Sequence, residues 1–156
     1  MTARLNYRKA APQGIAALRG LQDYVENSGL EHTLLELVKT RASQLNGCAY
    51  CLDMHTKDAR AAGESEQRLY ALPAWRETPF FNARERAALA WAEAVTRIDP
   101  ERIDDQLYAT LGAHFNEKEI VDLTLAIVAI NGWNRLAIPF RTPPGSYQPA
   151  QAAANA

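Results

Sequence analysis

Apolar residues recur along most of the chain at the three- and four-residue spacing of an α-helix. Ala and Leu supply most of them, while β-branched residues are sparse and never alternate over a strand-length run. Both features favour helices over strands. We therefore predict an all-α fold of about seven helices.

Breaks in this pattern set the predicted helix bounds. Pro12 suits a first turn, and Asn46 can cap the helix that follows it. Asn82 and Asn116 each precede a Glu by three residues, the spacing of a capping box. The predicted helices span about 12–28, 32–45, 48–62, 65–72, 82–98, 103–113 and 120–133. The last is apolar nearly all round, which suits a central helix or a subunit interface.

The sequence predicts one domain followed by a tail. Its 156 residues match the size of a single domain. Residues 1–140 carry the helical pattern, whereas 141–156 begin with prolines and a glycine and end in Gln and Ala. We predict that this tail is irregular, either frayed or clasping a partner.

Charge and hydropathy exclude several classes of function. The chain has 17 Lys and Arg residues and 18 Asp and Glu residues, which gives a net charge of -1. It therefore lacks the excess of basic residues that binding to nucleic acid requires. Its longest apolar stretch, Leu123 to Ile130, is far shorter than the ~20 residues of a membrane span. The N-terminus lacks the apolar core of a secretory signal, which predicts a cytoplasmic protein without a membrane partner.

The two cysteines carry the candidate chemistry. Cys48, Cys51 and His55 occupy positions i, i+3 and i+7 of the predicted third helix, so their side chains share one face. A helix start favours a thiolate through its unpaired N–H groups and its dipole. His55 can take up the proton of Cys51, and Cys48 can condense with an oxidised Cys51 to form a disulfide and water.

Other sites built on Cys-x-x-Cys fit less well. Covalent haem needs His directly after the second cysteine, where this chain has Leu52. A thioredoxin fold needs a preceding strand, and a deaminase zinc site needs Pro before the first cysteine, where this chain has Gly47. A structural zinc site stays open only if His114 or Glu36 supplies a fourth ligand.

The run from Glu36 to His55, ELVKTRASQLNGCAYCLDMH, resembles the core motif of the AhpD-like alkylhydroperoxidases, in the carboxymuconolactone decarboxylase superfamily. That motif is Glu, eleven residues, then Cys-x-x-Cys-x-x-x-His, and every position of it is met here. The close resemblance covers about residues 34–63, and the helical pattern extends it more loosely to most of the chain.

The resemblance implies an AhpD-like helical fold that assembles into a homo-oligomer, a trimer or hexamer, with thiol peroxidase or disulfide-reductase activity. Cys51 would be the peroxidatic thiolate and Cys48 the more accessible, resolving thiol. His55 as base and Glu36 would form the proton relay. The implied partners are a hydroperoxide substrate and an external dithiol of lipoyl or thioredoxin type, with no cofactor and no metal.

Two features of the motif keep alternatives open. Tyr50 stands where the best-known members have a His, and a phenol of pKa ~10 cannot shuttle protons as imidazole does. A redox-responsive protein that uses the disulfide as a switch is therefore a second hypothesis for the function, and a lactone decarboxylase is a third. Glu36 falls on a polar stripe of its helix, so its role requires that the cysteine helix or another subunit cover it.

Overall fold

The computed structural model describes residues 2–98 and 100–149, so the end of the predicted tail, 150–156, lies outside the described residues. Within the described part the chain is all-α, as predicted. Its helices are α1 Tyr7–Ala10, α2 Pro12–Glu26, α3 His32–Asn46, α4 Ala49–Ala61, α5 Glu66–Ala71, α6 Ala83–Arg97, α7 Asp105–Gly112 and α8 Glu117–Ala137, with a 3₁₀ helix at Leu72–Glu77.

All seven predicted helices are present, and the sequence missed two short elements. The four-residue α1 is too short to show a period, and the prolines at 73 and 79 concealed the 3₁₀ helix. Both predicted capping boxes form: the Asn82 and Asn116 side chains each accept the backbone N–H three residues on, and the paired Glu reaches back. These caps fix where α6 and α8 begin.

Helix α3 is the central element, because α4, α6 and α8 all pack against it. Its apolar face, including Leu34, Leu35 and Val38, joins buried residues of α6 and α8 in the main core. Its opposite face is polar but equally buried, and α4 covers it. The polar stripe that contains Glu36 is thus enclosed within one protomer.

The connection between α3 and α4 differs from the prediction in one respect. Asn46 was expected to cap the cysteine helix, but it is the last residue of α3, and Cys48 is the N-cap of α4. The Asn46 amide instead donates to Asn131 at 2.9 Å and to Asn134 at 2.7 Å, both on α8. The Asn46 side chain therefore forms long-range hydrogen bonds to α8 and does not cap α4.

Helix α8 is long and apolar enough to cross a membrane by length and composition alone. Half of that apolar window is buried inside the protein, and core helices of soluble proteins pass the same test. Asp122 is buried on it, held by the Tyr24 hydroxyl at 2.8 Å and by Lys118. Its apolar side chains face the core on one side, and Val121 and Val128 remain exposed on the other.

Gly47 offers a test of how the α3–α4 turn is formed. It has φ 69°, in the left-handed region, and a Cβ placed there would meet nothing within 4 Å. Gly47→Ala should therefore lower the free energy of unfolding by about 1 kcal/mol through backbone strain alone. Gly20→Ala, in the open interior of α2, should instead raise it by up to about 1 kcal/mol.

Denaturant unfolding of the two variants measures both effects. Equal changes in the same direction for Gly47→Ala and Gly20→Ala would contradict a strained turn at Gly47.

Candidate active site

The cysteine pair lies at the start of α4. Gly47 turns the chain so that Cys48 becomes the N-cap, and its sulfur accepts the backbone N–H of Cys51 at 3.4 Å. The two Sγ atoms are 2.8 Å apart and share a hydrogen bond. Both residues are only 1% exposed, and both cysteines are free thiols in this structure. The predicted placement of the pair at a helix N-terminus is confirmed.

The two thiols differ in acidity. The hydrogen bond from the Cys51 thiol, helped by the backbone N–H groups of Cys51 and Tyr50, overcomes burial and lowers the pKa of Cys48 to about 7. The hydrogen bond to Cys48, together with burial and the Cys48 charge, raises the pKa of Cys51, while the Asn134 amide opposes this rise. The pair therefore loses one proton near neutral pH, and the remaining proton lies in the short S···S contact.

Glu36 and His55 form a second buried pair. His55 Nδ1 lies 2.9 Å from Glu36 Oε2, and Lys39 Nζ donates to Glu36 Oε1 at 2.8 Å. Burial would raise the pKa of Glu36, but the hydrogen bonds and positive charges of His55 and Lys39 prevail and lower it to about 2. An ionised carboxylate only accepts hydrogen bonds, so Nδ1 of His55 carries the proton, and Nε2 of the neutral ring is its basic nitrogen.

A cavity of about 570 Å³ joins these groups. Cys51, His55 and Glu36 all line it, and Cys48 does not. The structure does not distinguish Cys48 as the more accessible thiol, because both cysteines are 1% exposed and Cys51 is the one that borders the cavity. Cys48 is the cap of the helix.

Several residues of the site were missed from the sequence. Lys39, three residues after Glu36 on the same polar stripe, was not predicted as a site residue, and it is only 2% exposed. His32 was assigned no role, yet it lines the cavity with Nε2 3.8 Å from Glu36 Oε1. The buried Asn134 amide contacts both Ser43, at 3.2 Å, and Cys51. No sequence signal indicated Asn134, which lies one residue beyond the predicted end of the last helix.

The segment before residue 150 packs onto the cysteine helix. The Tyr147 hydroxyl donates to Asp58 Oδ1 at 2.6 Å, Lys57 Nζ donates to the Tyr147 carbonyl at 3.0 Å, and the Gly145 N–H donates to Asp53 at 3.0 Å. Burial, and then the Asp58 carboxylate, raise the pKa of Tyr147. The described part of the predicted tail therefore forms one wall of the cavity, where Tyr147 and Pro149 border it.

One group of potential metal ligands occurs in the described residues. It consists of Glu36, His55 and Asp58, whose ligand atoms lie within 4.8 Å of one another, and it includes neither cysteine. Both carboxylates already accept hydrogen bonds from donors of the chain, Lys39 and His55 for Glu36 and Tyr147 for Asp58. A cation here would compete with the Lys39 ammonium group.

The sequence profile of the carboxymuconolactone decarboxylase family matches residues 10–94, which include both helices of the site. The chain belongs to this family. Within it, the chain is 45% identical over 138 residues to the uncharacterized protein YdfG of Bacillus subtilis (strain 168). The match covers 88% of this chain and 94% of YdfG.

Two solved structures place the fold within the AhpD-like branch. A protein of unknown function from Agrobacterium tumefaciens, provisionally assigned as antioxidant defence protein AhpD, is 46% identical with a TM-score of 0.89, over 94% of this chain and all of that one. An uncharacterized peroxidase-related protein from Silicibacter sp. TM1040 is 26% identical with a TM-score of 0.75, over 84% of this chain and 70% of that one. The resemblance inferred from the motif is thus confirmed.

The acidity of the thiol pair can be measured by thiolate absorbance of the reduced protein. One thiolate should form with a midpoint near pH 7 as the pH rises, because Cys48 loses its proton first. Cys51→Ser should shift that midpoint upward, since it removes the thiol hydrogen bond that most stabilises the anion. Cys48→Ser should remove the step, and a retained step near pH 7 in this variant would show that Cys51 ionises first.

The buried carboxylate predicts a specific sensitivity to acid. The pKa of Glu36 falls from 4.5 to about 2 on folding, so its contribution to stability is complete above pH 4.5 and is lost as the pH drops toward 2. This contribution is about 3 kcal/mol by linkage. Glu36→Gln should therefore be less stable at neutral pH and should show a flatter decline below pH 4.5.

The free energy of unfolding, measured against pH for the wild type, Glu36→Gln and a control variant, tests this prediction. Glu77→Gln is the matched control, because Glu77 is exposed and its replacement should leave the profile of the wild type unchanged. A Glu36→Gln profile parallel to that of the wild type would contradict the assignment.

Proposed function

We propose that this protein is a thiol-dependent peroxidase that reduces hydroperoxides through a Cys48–Cys51 dithiol–disulfide cycle. The observation that carries the proposal is that Cys51 borders a cavity, with a second thiol sulfur 2.8 Å from its own and a buried His–Glu pair lining the same cavity. The peroxidase-related and antioxidant descriptions of the two structural relatives support the same class of chemistry.

The first half of the cycle oxidises Cys51. His55 Nε2 takes one proton from the thiol pair, whose remaining proton moves between the two sulfurs. With that proton on Cys48, the Cys51 thiolate attacks the terminal oxygen of the hydroperoxide, and the O–O bond breaks. Cys51 becomes a sulfenic acid, and the departing alkoxide takes the proton of the His55 imidazolium to leave as an alcohol.

Glu36 acts in this half through His55. Its carboxylate accepts the Nδ1 hydrogen bond, which directs the basic nitrogen away from Glu36 and stabilises the imidazolium once it forms. Lys39 balances the charge of Glu36 while the imidazole is neutral.

The second half restores the thiols. The Cys48 thiol attacks the Cys51 sulfenic sulfur, so a disulfide forms and one water leaves. An external dithiol of lipoyl or thioredoxin type then supplies two electrons and two protons, and is itself oxidised to a disulfide. We place this cycle in the reducing cytoplasm, and in a homo-oligomer such as a trimer or hexamer, with the exposed Val121 and Val128 of α8 as candidate contact residues.

Hydroperoxide consumption with a dithiol donor tests the proposal. Cys51→Ser should abolish turnover, because the oxidised sulfur is lost. Cys48→Ser should allow a single turnover that leaves a sulfenic acid on Cys51, which a dimedone-type reagent traps. His55→Ala should slow turnover by about a hundredfold or more, because the general base is removed.

His114→Ala is the matched control, since His114 does not line the cavity, and it should keep the activity of the wild type. Turnover that survives Cys51→Ser would refute the peroxidase assignment. A wild type that cycles its disulfide with the donor but consumes no hydroperoxide would indicate a redox-responsive protein instead.

A further inference from the structure

The cavity beside Cys51 is much larger than a peroxide group needs. Its volume of about 570 Å³ is roughly twenty times the ~30 Å³ that one water occupies in the liquid. Apolar and aromatic side chains form much of its wall: Tyr7, Tyr50, Met54, Trp133, Ala137 and Pro149. A wall of this kind fits the apolar body of an organic hydroperoxide, whereas hydrogen peroxide would leave most of the space unused.

The carboxylates on the cavity wall are already engaged. Glu36 is bound by His55 and Lys39, and Asp58 accepts the Tyr147 hydroxyl. Glu26 accepts the Gln22 amide at 2.8 Å and lies 3.9 Å from Lys39. Each acidic group of the wall therefore has a donor or cation of the chain beside it.

Two arginines on the same wall have no such partner. Arg8 and Arg19, from α1 and α2, both border the cavity, and within residues 2–98 and 100–149 neither forms an ion pair with a carboxylate. The Arg8 guanidinium lies 5.8 Å from the ring centres of both Tyr7 and Trp133. This stacking holds the guanidinium against the aromatic wall and leaves its N–H edge available.

We propose that the substrate is an organic hydroperoxide that bears a carboxylate. Its carboxylate would bind Arg8 and Arg19, its apolar body would lie along the Trp133 side of the cavity, and its hydroperoxide group would reach Cys51. Planar carboxylates match the guanidinium fork, and both arginines offer an unpaired positive charge for one. This inference rests on the proposed function, since it specifies the substrate of the same site.

Turnover of a matched substrate pair tests the inference: the hydroperoxide of an unsaturated fatty acid and its methyl ester. These differ in charge and share the apolar body and the reacting group. We expect the wild type to prefer the free acid by about tenfold or more in kcat/KM, the value of one good charge-assisted contact. The double variant Arg8→Gln/Arg19→Gln should lose that preference, because its KM for the acid should rise toward its KM for the ester.

Arg97→Gln is the matched control. Arg97 is an exposed arginine of α6 that does not border the cavity, and its replacement removes a positive charge elsewhere. This variant should discriminate between acid and ester as the wild type does. A loss of preference in Arg97→Gln equal to that of the double variant would show that the net charge of the protein, not the arginine site, selects the acid.

A binding measurement separates this inference from the peroxidase proposal. The hydroxy acid that the reaction would yield cannot be turned over, and its binding can be followed by quenching of tryptophan fluorescence. It should bind the wild type and Arg97→Gln about tenfold more tightly than the double variant does.

Equal use of acid and ester by the wild type, or equal loss of both in the double variant, would overturn the carboxylate site and leave the peroxidase function standing. Arginine-dependent binding of the hydroxy acid without Cys51-dependent turnover of either hydroperoxide would instead refute the peroxidase function and keep the anion site.

Discussion

The buried carboxylate of Glu36 is the constraint on which the site depends. A charge that is 2% exposed is tolerated only when partners satisfy both of its oxygens, and Lys39 and His55 supply one each. Lys39 comes from the same helix, but His55 comes from α4, so α4 must pack where His55 reaches Glu36. That packing also brings Cys51, one turn before His55, to the same wall of the cavity.

The turn between α3 and α4 determines where the two sulfur atoms lie relative to Glu36. Only Gly47 and Cys48 separate the two helices, so the left-handed conformation of Gly47 determines where the cysteine helix begins. Cys48 is then both the helix cap and the sulfur that ionises first, because the Cys51 thiol donates to its anion and the backbone N–H groups at the helix start stabilise that anion further. The cap position therefore contributes to the acidity of the pair.

Local signals predicted the parts of the structure that depend on local interactions. The two Asn–Glu capping boxes located the starts of α6 and α8, and the spacing of Cys48, Cys51 and His55 placed them on one helix face. Asn46 was wrongly predicted as a cap because its side chain is bound by Asn131 and Asn134, which are 85 and 88 residues away in sequence. No local sequence pattern could have predicted these two hydrogen bonds.

Burial of the polar face of α3 was equally invisible in the sequence. On a helical wheel, a stripe typical of a solvated surface is formed by Glu36, Lys39, Thr40 and Ser43. All four are buried, because α4 and α8 both pack against α3. The Glu36–Cys–Cys–His spacing indicated the chemistry, but it did not reveal Lys39 as the counter-charge. Tyr147 lies 89 residues beyond Asp58 and is brought to the site only by tertiary packing.

The acidities at the site limit how protons can move. Tyr50 borders the cavity at the position where the resemblance would place a second imidazole. Glu36, with a pKa of about 2, stays ionised and is therefore a poor proton carrier, although it is well suited to orient His55. The proposed cycle therefore moves protons between the thiol pair and Nε2 of His55. Because these lie on successive turns of α4, proton transfer and sulfur chemistry in this protein depend on one helix, and the position of that helix depends on the hydrogen bond between His55 and Glu36.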